Sequence, residues 1–75
     1  QPIPFKSLKL NRGDSLHHHL FGKCAVIKAA PNGRVKARRE DGGFVFIHLK
    51  AFEIRDRGLG EKGEPIYDLT PAGNL

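Results

Sequence analysis

Apolar and polar residues alternate along much of this chain, in short segments that Gly- and Pro-rich turns separate. The clearest alternation runs over residues 34–38, where Val35 and Ala37 would point to one side and the intervening cations to the other. No segment sustains a helical apolar period, which argues against long helices. The pattern therefore predicts an all-β domain built from short strands.

The chain is expected to form one domain over residues 1–75, because a chain of this length holds a single small core. Residues 1–12 would form an N-terminal strand or arm, and residues 13–54 the core of the domain. Residues 55–64 are charged and rich in glycine, which is typical of a loop. Residues 65–75 would supply the last strand and a tail. The spacing of the strands favours a small barrel or sandwich.

Two of the predicted strands, residues 34–38 and 44–49, flank an acidic, Gly-rich turn. We expect them to pair as an antiparallel hairpin, with Val35 and Ala37 on the core side. The core side would also receive Val45, Ile47 and Leu49. The opposite side would carry cations beside aromatic side chains, namely Arg34, Lys36, Arg38, Phe44, Phe46 and His48.

The second side of this hairpin matches the chemistry of single-stranded RNA or DNA. Bases stack on aromatic rings, and phosphates pair with Arg and Lys. Lys23, Lys28 and Arg39 are expected to add phosphate contacts. The alternative is that Phe44 or Phe46 is covered, either by the N-terminal segment or by a partner chain.

The distribution of charge also points to an anionic partner. The net charge is +5, and residues 1–40 carry nine Lys or Arg against two Asp or Glu, whereas residues 41–75 carry four against six. A basic half on a small domain attracts polyanions such as nucleic acid. An acidic protein would also be attracted, so charge alone does not distinguish these partners.

Part of the chain resembles the cold-shock domain, a five-stranded antiparallel barrel of the oligonucleotide-binding (OB) type. The second nucleic-acid-binding motif of that family, Val-Phe-Val-His-Phe after an acidic-Gly turn, matches residues 45–49 (VFIHL). Its first motif, Lys-Gly-Phe-Gly-Phe-Ile, aligns with residues 32–37, where cations replace both aromatic residues. The resemblance implies a barrel that binds single-stranded nucleic acid, with Phe46 and His48 as stacking residues.

The match to the cold-shock domain continues to a Gly-Asn pair at residues 73–74, beyond which the last strand of that family would lie. An open sheet edge is therefore expected. Residues 5–10 or a second copy of the chain would fill this edge.

A second resemblance concerns residues 13–22 (GDSLHHHLFG). They look like the opening Gly-Asp-x-Val-x-His-x-x-Phe-Gly of the Tudor/SH3-like domains at the C-termini of some DNA helicases, and the match would extend to residue 54. It implies a small β-barrel that binds proteins, RNA polymerase among them, or nucleic acid. The alternative function is thus a protein-interaction module that regulates the transcription or replication machinery and that could self-associate through an open edge.

Catalysis and metal binding find little support in the sequence. The single cysteine, Cys24, lies in an apolar run and is expected to be a core residue. The three consecutive histidines at 17–19 do not have the spacing of a zinc site, so neither a metal nor a cofactor is predicted. No nucleophile neighbours His48, and no Gly-rich phosphate loop occurs, so the chain is not expected to be an enzyme.

The same sequence predicts a cytoplasmic protein without a membrane partner. No run approaches the roughly 20 apolar residues that span a bilayer, and the N-terminus lacks the pattern of a signal peptide. A lone cysteine is also typical of a reducing compartment.

Overall fold

Strands dominate the fold, which a computed structural model describes over residues 2–72. The helical segments in that range are two 3₁₀ turns, Phe5–Ser7 and Leu49–Ala51. The strands are β1 (Ser15–His18), β2 (Gly22–Ala29), β3 (Arg34–Arg39), β4 (Phe44–His48), β5 (Phe52–Leu59) and β6 (Pro65–Pro71). The prediction of an all-β domain is therefore confirmed.

All six strands belong to one sheet, in the order β4-β3-β2-β1-β6-β5. β1 and β6 run parallel, with Ser15 opposite Ile66 and His18 opposite Leu69, and the other neighbouring pairs are antiparallel. Within residues 2–72, the edge strands β4 and β5 form no ladder with each other. The five-stranded antiparallel barrel that the sequence suggested is thus wrong in strand number, in one pairing and in closure.

One face of the sheet carries the core. The buried hydrophobic residues come from every strand and from the second 3₁₀ turn: Leu16, Cys24, Val26, Val35, Ala37, Ile47, Leu49, Ile54 and Leu69. No helical layer covers this face in the described part of the chain, so the sheet must curl around its own core to bury it. Cys24 is among these residues, as predicted, and burial raises the pKa of its thiol.

Of the two alternatives predicted for residues 1–12, the strand is wrong, because residues 5–7 form a 3₁₀ turn and residues 8–12 belong to no strand. Proline has no backbone N–H to give to a ladder, and Pro2 and Pro4 therefore interrupt pairing. The segment behaves as an arm instead: the Ile3 N–H donates to the carbonyl of Ile54 at 2.7 Å. Phe5 packs beside Gly33 in the β2–β3 turn. Residues 5–10 therefore do not fill a sheet edge.

The predicted loop over residues 55–64 is also wrong in part, because β5 continues to Leu59 and pairs with β6. Arg57 Nη1 donates to Asp68 Oδ1 across the pair at 2.9 Å. A bulge follows, where the Gly58 N–H donates to Asp56 Oδ1 at 2.7 Å and Gly58 has a φ of +101°. β5 is therefore the strand that the sequence did not predict. β6 occupies Pro65–Pro71 of the segment predicted as last strand and tail, and residues 73–75 of that segment lie outside the described residues.

Candidate nucleic-acid interface

β3 and β4 form the hairpin that the alternation predicts. Arg34 lies opposite His48, Lys36 opposite Phe46, and Arg38 opposite Phe44. Opposed residues in an antiparallel pair project to the same side of the sheet. These six residues therefore share one side, here called the hairpin face: Arg34, Lys36, Arg38, Phe44, Phe46 and His48.

The aromatic rings of the hairpin face are open to solvent. Phe46 is 81% exposed and Phe44 is 55% exposed, whereas their neighbour Ile47 is only 3% exposed. The N-terminal segment therefore does not cover Phe46. Isolated exposed hydrophobic residues are ordinary, but two phenylalanines on one edge strand form an unusual exposed pair that fits a binding surface.

Cations approach the two rings to different extents. Lys36 Nζ lies 4.9 Å from the centroid of the Phe44 ring, and Arg38 Cζ lies 5.9 Å from it. Both distances are within the range of a cation–π contact. In the described residues no such contact is made to Phe46, so its ring is the more available one for a flat ligand.

The cations on this side of the sheet also lack acidic partners. Within residues 2–72, no carboxylate oxygen lies within 4.0 Å of the nitrogens of Arg34, Lys36 or Arg38. Arg55 and Arg57, on β5, behave differently: each lies within 3.0 Å of a carboxylate oxygen, of Glu53 and Asp68 respectively. The positive charge of the hairpin face is therefore not neutralised from within the fold.

The three further phosphate contacts proposed from the sequence lie in different places. Lys28 joins the hairpin face, because a bulge in β2 brings it opposite Lys36. Lys23 is exposed on β2 and projects to the same side as Ala25, which lies opposite Arg38, but it lies beyond the end of the hairpin face, opposite His17 on β1. Arg39 follows Arg38 directly, so it projects to the opposite side.

Arg39 takes part in the structure of the β1–β2 end rather than in the hairpin face. It lies opposite Cys24 in the ladder, and its Cζ is 5.7 Å from the centroid of the Phe21 ring. Its Nε lies 3.2 Å from Asp41 Oδ1. The structure thus brings seven of the nine predicted residues together. Lys23 lies beyond the end of the hairpin face on the same side of the sheet, and Arg39 lies on the opposite side.

Two shallow depressions lie on the side of the sheet that carries the hairpin face, here called the hairpin side. The first has a volume of about 430 Å³, and its lining includes Lys28, Phe46 and His48. The second has a volume of about 410 Å³, and its lining includes Arg12 and Phe44. Lys36 lines both, so it stands between them.

Arg12 is a residue of this surface that the sequence reasoning missed. Its turn is held on β2, since the Gly13 N–H donates to the Val26 carbonyl at 3.0 Å. The turn is closed by Asp14, whose Oδ2 accepts from the Asn11 N–H at 2.9 Å. The Asn-Arg-Gly-Asp sequence signals a turn, but only the ladder shows which strand the turn contacts.

The three histidines do not form a metal centre. His18 is 5% exposed, and its Nδ1 accepts from the N–H groups of Leu20 and Phe21 at 3.0 and 3.2 Å. Its ring stacks on Phe21 with centroids 4.4 Å apart, and on His19 at 4.6 Å. Burial, and to a lesser extent His19, lowers the pKa of His18 below its ordinary value. His18 is therefore a structural residue of the β1–β2 turn.

No group of three or more His, Cys, Asp or Glu side chains is placed to bind a metal ion among residues 2–72. The same range has no helix with the length and hydropathy that crossing a membrane requires. Comparison of the chain with family models, with curated proteins and with solved structures finds no match. The hairpin face is therefore the feature from which a function can be inferred.

Proposed function

We propose that this chain is a non-catalytic module that binds single-stranded RNA or DNA on its hairpin face. The observation that carries the proposal is the combination of an open aromatic ring, Phe46, with cations that no carboxylate neutralises in the described residues. Aromatic rings supply stacking for bases, and free Arg and Lys supply phosphate contacts. The resemblance of β3 and β4 to the two cold-shock motifs supports the same ligand.

The spacing of the rings favours a single strand over a duplex. Phe44 and Phe46 are two residues apart on β4, so their attachment points are separated by roughly 6.6 Å. Successive bases in a duplex are only about 3.4 Å apart along each strand. Neighbouring bases could occupy both rings only if they separated from each other, which a single strand permits and a duplex resists.

The test is a fluorescence-anisotropy titration of the chain with labelled single-stranded RNA and DNA at two salt concentrations. A duplex of the same sequence and unlabelled inorganic polyphosphate serve as competitors. We expect saturable, salt-sensitive binding to the single strands and weaker competition from the duplex and from polyphosphate, which has no bases. Equal competition by polyphosphate would show simple charge attraction, and no binding at low salt would refute the proposal.

A second candidate is a protein-interaction module, favoured by the outer edge of β4, which pairs with no strand within residues 2–72; the edge of β5 accepts a hydrogen bond from the N-terminal arm at Ile54. An exposed strand edge can add a strand from a partner or from a second copy. Pairing two β4 strands would leave the β3 cations of the two copies three strand spacings apart, roughly 14 Å, so their repulsion would oppose self-association mainly at low salt. Light scattering over a range of protein concentrations separates the candidates, since a monomer at all concentrations argues against the edge as a self-association surface.

A further inference from the structure

The two depressions beside Lys36 have similar volumes and similar components. Each has a phenylalanine of β4 at its margin, Phe46 in the first and Phe44 in the second. Each also has a cation on the side away from β4, Lys28 in the first and Arg12 in the second. A repeated arrangement of ring and cation is what consecutive nucleotides of one strand require.

Lys36 is the element common to both depressions. It lies opposite both Phe46 on β4 and Lys28 on β2, at the centre of the three strands. Its ammonium group lies 4.9 Å from the Phe44 ring. A phosphate that links a base on Phe46 to a base on Phe44 would therefore pass close to Lys36 Nζ.

Arg12 lies at the far end of this line. It is exposed, and its side chain has no carboxylate within 4.0 Å in the described part of the chain. Its backbone is fixed on both sides, because the Asp14 N–H also donates to the Asn11 carbonyl at 3.1 Å. A cation on a fixed turn is suited to binding a phosphate at a defined position, since the backbone that carries it does not have to be ordered on binding.

We propose that the hairpin side contains two nucleotide subsites, and that the bound strand runs along β3. The first base lies on Phe46, the linking phosphate lies at Lys36, the second base lies on Phe44, and Arg12 binds the phosphate beyond the second base. This inference rests on the proposed function. It adds the path of the bound nucleic-acid strand along β3 and a binding residue outside the hairpin, Arg12. The ligand unit is a dinucleotide with one further phosphate.

The test measures binding of short oligothymidylates, from the mononucleotide upward, by chemical-shift changes in NMR spectra, which detect weak ligands. The dinucleotide is used without a terminal phosphate, with a 5′-phosphate and with a 3′-phosphate. We expect a large gain in affinity from mononucleotide to dinucleotide. A terminal phosphate at one end should then strengthen binding to the native chain, and the end that responds gives the polarity of the strand.

The Arg12→Ala variant should lose the response to that terminal phosphate, and Arg12→Lys should keep part of it. For a longer single strand, the loss of affinity on a fourfold increase in salt should become smaller by a factor of about 2.6, as expected for one phosphate contact fewer. Arg55→Ala is the matched control, because it removes the same charge from β5, which is the edge strand at the opposite end of the strand order from β4. It should leave both the response to the terminal phosphate and the salt dependence unchanged.

The possible failures are distinguishable. If a long single strand binds but short ligands do not, or if Arg12→Ala still responds to the terminal phosphate, the two-subsite arrangement is overturned while the proposed function stands. If Arg55→Ala weakens binding as much as Arg12→Ala, the effect is one of net charge and the assignment of Arg12 is likewise overturned. If no single strand of any length binds at low salt, both proposals fail.

Discussion

Replacing Phe46 should separate ligand binding from folding stability. Phe46 is 81% exposed, so Phe46→Ala removes few contacts within the fold and should change the free energy of unfolding by less than about 1 kcal/mol. Loss of one stacked base costs about 1–3 kcal/mol of binding free energy. The dissociation constant for a single strand should therefore rise by a factor of about 5 to 140.

The size of this effect depends on stacking rather than on apolar area alone, and a second variant tests the difference. Phe46→Leu keeps an apolar side chain but removes the ring, so it should bind nearly as weakly as Phe46→Ala. Leu20→Ala is the control, since Leu20 is 75% exposed on the β1–β2 turn, away from the hairpin face. Anisotropy titration gives the binding free energies, and urea denaturation gives the stabilities.

Two results would refute this reasoning. If Phe46→Leu binds like the native chain, the ring does not stack on a base. If Phe46→Ala is strongly destabilised in urea, the ring contributes to the fold and is not an open platform. Equal weakening by Leu20→Ala would show that binding depends on exposed apolar area in general.

Three other predictions concern a phosphate contact, the core and pH. Arg34→Ala should flatten the slope of log affinity against log salt by about 0.7 for a single strand, measured by titration at several salt concentrations; an unchanged slope would exclude a phosphate contact. Ile47→Ala, which truncates a residue that is 3% exposed, should lower the free energy of unfolding by about 2–5 kcal/mol in urea, and a loss below 1 kcal/mol would contradict its place in the core. Because the folded state lowers the pKa of His18, the unfolded chain binds more protons at acidic pH. The contribution of His18 to the free energy of unfolding should therefore be fully present above about pH 6.5 and decline as the pH falls below it. Denaturation at a series of pH values should show a shallower decline for His18→Asn, whose amide oxygen can still accept hydrogen bonds from the turn.

The local part of the fold could be predicted because short-range signals determine it. Strict alternation over residues 34–38 and an acidic-Gly turn specify both the hairpin and the side to which each residue points. The same alternation implies that the adjacent residues Arg38 and Arg39 point to opposite sides, so the placement of Arg39 away from the hairpin face follows from the sequence once that rule is applied.

The remaining features depend on contacts between residues distant in the chain. β5 is exposed on both sides over most of its length, so it lacks the apolar alternation that identifies a strand, and its pairing with β6 alone reveals it. The parallel pairing of β1 with β6 joins residues about fifty positions apart, which no local pattern encodes. Arg12 enters the candidate site in the same way, because its turn is placed by hydrogen bonds to β2.

The division of the sheet into a core side and a charged side has an energetic consequence. Arg12, Lys28, Arg34, Lys36 and Arg38 lie on one side without carboxylate partners in the described residues, so they repel one another in the free protein. A bound polyanion removes this repulsion only when the domain is folded, since the unfolded chain disperses the same charges.

A ligand at a hundred times its dissociation constant stabilises a folded protein by about 2.7 kcal/mol. For a domain of this size, 1 kcal/mol shifts the midpoint of thermal unfolding by about 4–8 °C, so a saturating single strand should raise it by about 10–20 °C. High salt should raise the midpoint of the free protein and reduce the effect of the ligand, and a midpoint that responds to neither would mean that the cations of this side do not act together.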